Sequence, residues 1–228
     1  MFDERRHDID ALRSIALFLL IFYHLAVSFT SVAKWILFVP NNKPIDNIWS
    51  LLSIFNIWRI PLLFIIAGIA LRFSYQNRGA GELLKERFKR LGITYLFGVV
   101  TFVPLYIIIS AQFIYGDMSL DDNIGVLITS IFTGGHLWFL INILIYCLLL
   151  IPIIGFISNK KRGYKFVDSI LKIRGGVLLF SIPIILEGYL LDLTAYKEDI
   201  AYGNSYSEYY GTDHGLLLGF IWFLIGIV

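Results

Sequence analysis

Six stretches of this chain approach the length and apolarity needed to cross a lipid bilayer as a helix, and no other feature restricts its fold as tightly. They fall at about residues 11–33, 48–71, 91–113, 136–157, 175–193 and 214–228. A spanning helix takes about 20 mostly apolar residues. Soluble domains hold roughly 45–50% apolar residues, whereas this 228-residue chain holds 57%, with a mean hydropathy of +0.74. A single aqueous core of this size cannot hide so much apolar surface. The expected architecture is therefore all-α, a polytopic transmembrane helix bundle with about six spans, forming one domain over residues 1–228. No linker, internal repeat or low-complexity tract divides the sequence.

The charges lie between the apolar runs, and they segregate. Arg5, Arg6 and Arg13 flank the first run, and Arg72, Arg78, Lys85, Arg87, Lys89 and Arg90 follow the second. Lys160, Lys161, Arg162, Lys165, Lys172 and Arg174 follow the fourth. If the helices alternate in direction, these fifteen of nineteen basic residues share one side, and the opposite loops hold only Lys34, Lys43 and Lys197. Basic loops stay in the cytoplasm, so the N-terminus is expected there, in the plasma (bacterial inner) membrane. A net charge of +2 divided among loops does not suggest a nucleic-acid partner. The apolar run after Arg6 is longer than the core of an ordinary signal peptide, so it is expected to remain as the first span.

Two segments resist a simple assignment. Residues 123–135 are apolar but too short to span, and are expected to form an interfacial or re-entrant helix. The last run stops after about fifteen residues, which leads us to expect a piece of a longer, roughly ten-span protein. Cys147, the only cysteine, sits in "LIYCLLLIP", where a packing role is expected.

Ionisable groups inside spans are costly, and by default they face a cavity or a partner. His24 lies near the middle of the first run and Arg59 near the middle of the second. Glu187 falls within the fifth, and His136 and His214 mark the outer ends of the fourth and sixth, with Asn142 a little deeper. Eleven residues separate Arg13 from His24, so on a helix the two share nearly one face and stand about 16 Å apart. One stripe thus carries a cation at its inner end and a proton acceptor further in. Structural readings stand beside these. Arg13 also serves as an orienting charge, and a lone histidine also works as an interhelical hydrogen-bonder. Arg59 is harder to explain that way, because a guanidinium cannot discharge itself by losing a proton.

Several motifs resemble those of the acyltransferase 3 family of integral membrane acyltransferases. "LRSIALFLLIFYH" resembles the family's arginine–ten residues–histidine motif in its first span. "FNIWRIPLLFIIAG" resembles its second span, "RFKRLGITYLFG" its R-x-x-R element, and "GGHLWFLINILIY" the segment leading into its fourth. The combination of "RRHDIDALR", "WRIPLLFIIAG" and "HLWFL" is most similar to the glucan biosynthesis protein C (glucan succinyltransferase) branch. Ala67 stands where the family commonly has a serine before glycine.

The resemblance implies transfer of an acetyl or succinyl group from a cytosolic donor such as acyl-CoA to a hydroxyl of an extracytoplasmic carbohydrate. The bilayer is the other implied partner. Acyl-CoA would be a co-substrate, with no resident cofactor and no metal. In that scheme Arg87, Arg90 and Lys89 grip the donor's phosphates with help from Arg13. His24 acts either as general base or as the acyl acceptor, Arg59 stabilises the oxyanion, and His136, Asn142 and Glu187 line the acceptor side. A polytopic transporter or exporter of a small anionic or glycan substrate is the alternative, with Arg59 and Glu187 as substrate groups.

Overall fold

The computed structural model describes residues 7–36, 38–45, 47–76, 78–116, 119, 121–122, 124–125, 127–128, 135–158, 168–170, 172–183, 185–186 and 213–227. No strand occurs among them.

Helix α1 covers His7–Val27, six residues short of the end expected from hydropathy. The apolar run is cut by short polar side chains. The Phe29 and Thr30 amides bond back to the carbonyls of Ala26 and Val27 at 3.0 and 2.9 Å, and the Thr30 hydroxyl donates to the Val27 carbonyl at 2.7 Å. Serine and threonine compete for helix-end carbonyls in this way. A 3₁₀ turn follows at Ser31–Ile36. The Asn41 and Ile45 amides then bond to the carbonyls of Ser28 and Phe29, both at 2.8 Å, which straps this segment over the end of α1.

Helix α2 (Ile48–Gln76) packs along α1. Pro61 lies inside it and supplies no amide to the helical ladder. Helix α3 (Ala80–Arg87) runs through a π-helical turn at Phe88–Gly92 directly into α4 (Ile93–Tyr115). The basic stretch after α2, expected to be a connecting loop, is thus mostly helix. Its hydrophobic residues explain why: Ala80, Leu83, Leu84 and Leu91 recur at helical spacing and turn inward, with Leu83 completely buried.

A 3₁₀ turn at Gly135–Leu137 leads into α5 (Trp138–Ser158), and α6 covers Asp213–Ile227. Helices α2, α3, α5 and α6 share the main core. At its centre the Tyr146 ring meets Phe64, Phe220 and Phe223 at 5.5–5.6 Å between centroids, and its hydroxyl donates to the Leu216 carbonyl at 2.6 Å. Gly68 and Gly226 set how closely α2 and α6 approach, because a Cβ on either would strike backbone of the opposing helix. Small residues let helices in membranes come together in this manner. Cys147 lies buried in the same core, in agreement with a packing role.

Among the described residues, three helical stretches are long and apolar enough to cross a membrane: His7–Val27, Trp58–Tyr75 and the continuous Ala80–Tyr115. Trp138–Pro152 and Gly215–Ile227 are apolar but shorter. In the fifth expected span, Gly176–Ser181 forms a 3₁₀ turn, and residues 187–193 lie outside the described residues. Of the expected re-entrant segment, residues 124, 125, 127 and 128 are helical and most of the rest lies outside. α1 and α4 expose large side chains such as Phe18, Ile21, Phe97, Phe102 and Phe113, which suits lipid.

Candidate functional site

Some of the sequence-selected residues lie at two places along α1: Arg13 with Arg87 and Arg90 near one end, and His24 with Arg59 near the other. The first is its N-terminal half. Arg13 is half-exposed and pairs with Asp10, one turn earlier, at 3.7 Å. Arg13, Arg78 and Arg90 all lie near enough to Arg87 to act on it electrostatically. Guanidinium groups from α1, the α2–α3 junction and the π-helical turn thus lie within electrostatic range of Arg87 on α3.

Two carboxylates partly balance them. Glu86 pairs with Arg78, and its other oxygen lies 3.1 Å from Nε of Arg90. Arg87 makes a different contact: its Nη2 donates to the Ser74 hydroxyl at 2.9 Å, tying the end of α3 to α2. Its Nε is buried without a hydrogen-bond partner among the described residues. Among the described residues, Asp10 and Glu86 thus pair with Arg13, Arg78 and Arg90, and clustered positive charge of this kind attracts anions.

Arg87 and Arg90 stand three positions apart, a spacing that puts both on one face of a continuous α-helix. The structure separates their surroundings, with Arg87 half-buried against Ser74 and Arg90 exposed beside Glu86. The π-helical turn between them is the cause, because it places more residues in each turn than an α-helix does. Lys89, also in this turn, is exposed.

The second place is the other end of α1. His24 occupies its last turn rather than mid-helix, since the helix closes at Val27. Its ring is half-buried and stacks on Phe38 of the overlying strap, with centroids 5.6 Å apart and planes 15° from parallel. Arg59, near the start of the apolar window of α2, is only 3% exposed. Its guanidinium carbon sits 4.0 Å above the centroid of the Tyr23 ring. Tyr23 in turn meets the His24 ring edge-on at 5.8 Å. His24 on α1 and Arg59 on the neighbouring α2 thus both meet the Tyr23 ring.

Tyr23 and Phe38 were not singled out by sequence. Tyr23 carried a usable signal, since it precedes the histidine and is a polar aromatic on the helix face toward α2. Phe38 carried none, because only the fold of the strap brings it over His24. Asn142 is buried on α5, one turn before Tyr146. His136 belongs to the 3₁₀ turn ahead of α5. Glu187 lies outside the described residues. Among the described residues no three His, Cys, Asp or Glu side chains group as a metal site.

Such an arrangement sets clustered guanidinium groups near one end of α1 and, at the other, a half-buried imidazole beside a buried guanidinium. Comparison with known families identifies the class. The model of the acyltransferase 3 family, described as an acyltransferase domain, matches residues 6–228. The chain belongs to this family and is an acyltransferase of the membrane. No curated protein and no solved structure matches it significantly.

Proposed function

We propose that the protein moves an acetyl or succinyl group from a cytosolic acyl-CoA to a hydroxyl of an extracytoplasmic carbohydrate, a glucan being the acceptor its motifs favour. The observation that carries this reading is the placement of His24 and Arg59 about one aromatic ring at one end of α1, with clustered arginines near the other. The two places are about 16 Å apart along the helix.

The donor's phosphates dock among Arg13, Arg87, Lys89 and Arg90, and its pantetheine arm extends along α1. Neutral His24 accepts the proton of the incoming sugar hydroxyl as its oxygen attacks the thioester carbonyl. Arg59 stabilises the resulting oxyanion from a dry position, where a fixed charge acts most strongly. When the tetrahedral intermediate collapses, the C–S bond breaks and the CoA thiolate leaves with the proton that His24 had taken. Transfer through an acyl-histidine uses the same groups in two steps. Asn142, His136 and Glu187 are assigned to the acceptor side, and the N-terminus lies in the cytoplasm.

The test is His24→Ala in membranes supplied with labelled acetyl-CoA or succinyl-CoA. Acylation should fall by about 10²–10⁴-fold, the range for loss of a general base, with insertion and expression unchanged. Normal glycan modification by this variant overturns the assignment.

A further inference from the structure

We propose that Tyr23 is a positioning residue for Arg59, its ring serving as the platform that aims the guanidinium at the reacting carbonyl beside His24. The inference rests on the catalytic reading of His24 and Arg59 and extends it to a residue that neither sequence motif contains as a functional position. Three observations meet at this side chain. Tyr23 is 4% exposed and belongs to a small apolar cluster with Val27 and Leu52. The Arg59 guanidinium carbon lies 4.0 Å from the centre of its ring. The His24 ring meets it edge-on.

A guanidinium over an aromatic face is attracted by the ring quadrupole, and more strongly when water is absent. Arg59 has a long, flexible stem, and catalysis by a fixed charge depends on holding that charge where the oxyanion forms. The ring holds the guanidinium plane, while α1, by sequence adjacency, fixes the ring relative to His24. Tyr23 therefore sets the relation between the two groups without touching the substrate. The interaction lies in the ring face, so phenylalanine should substitute for tyrosine here. The buried Tyr23 hydroxyl has no hydrogen-bond partner among the described residues, which also places the platform role in the ring.

The experiment is a double-mutant cycle on the intact chain in membranes, reading kcat and donor KM with labelled acetyl-CoA and succinyl-CoA. The variants are Tyr23→Leu, Tyr23→Phe, Arg59→Ala and the Tyr23→Leu/Arg59→Ala pair. Tyr23→Leu should lower kcat by about tenfold or more, with donor KM within about twofold of the parent. Tyr23→Phe should retain most of the parent kcat. The pair should be no slower than Arg59→Ala alone, because the platform has nothing left to aim. Multiplying effects in the pair, or a Tyr23→Phe as slow as Tyr23→Leu, overturns the proposal. So does an unchanged kcat in Tyr23→Leu while Arg59→Ala is slow. Full activity in Arg59→Ala instead removes the parent oxyanion reading, and Tyr23's role with it. Should Tyr23→Leu fail to accumulate, Tyr23→Met, an unbranched side chain that adapts to an irregular gap without supplying a ring, takes its place under the same criteria.

Discussion

The two ends of α1 hold cations by opposite means. At the N-terminal half, the side chains of Arg13, Arg78 and Arg90 are 42–72% exposed and lean on Asp10 and Glu86. At the other end Arg59 is sealed from solvent over an aromatic ring. Exposed ion pairs contribute about 0–1 kcal/mol each and weaken with salt. A desolvated cation–π contact contributes about 2 kcal/mol or more and is screened much less. The first arrangement suits a ligand that must arrive and leave. The second suits a charge that must already be in place when the barrier is crossed.

Two substitutions probe the buried end. His24→Ala should have the largest effect, and it should fall on kcat. Arg59→Lys comes next, with kcat reduced by about 10²-fold, because an ammonium lacks the flat delocalised surface that rests on Tyr23. A donor KM that rises in parallel would make Arg59 a binding group and erase the contrast between the ends. At the exposed end, Arg87→Ala with Arg90→Ala should raise donor KM by about tenfold while kcat changes little. Raising salt from about 50 to about 500 mM should weaken donor use by the parent more than by this double variant. Equal salt sensitivity in both would remove these arginines from the donor site.

The legibility of these two ends in sequence differs for the same physical reason. Arg13, His24 and Arg59 stood out because charge within an apolar run is rare, and a helix converts an interval of eleven residues into a shared face. The all-helical architecture was legible on the same ground. What could not be read was where the apolar runs stop being regular helix. Thr30 closes α1 within a hydrophobic stretch, which moved His24 from mid-helix to a helix end. The segment after α2 was read by its charges as a loop, although Leu83, Leu84 and Leu91 carry the helical stripe that docks it in the core. The π-helical turn that parts Arg87 from Arg90 has no signature in residue type. The packing of the strap over α1, such as Phe38 on His24, depends on backbone bonds from residues 41 and 45 that hydropathy does not register.

Glu86 offers the finest test of the exposed end, because its carboxylate occupies Arg90, one of the arginines assigned to the proposed donor, together with the neighbouring Arg78. It pairs with Arg78 and, at 3.1 Å, with Nε of Arg90, while remaining 20% exposed itself. In the proposed site an arriving phosphate competes with it for the N–H groups of Arg90, so a bond from Arg90 to phosphate forms at the expense of that ion pair. Glu86→Gln keeps the shape and an acceptor oxygen but removes the negative charge, so donor KM should fall by about two- to fivefold, the range set by exposed pairs. The kcat should stay near the parent value, since nothing at His24 or Arg59 changes. A rise in KM would show that Glu86 orients the arginines rather than competing for them. The mouth would then be a pre-set cradle, closer in kind to the fixed charge at the far end of α1 than to a loose field of exposed cations.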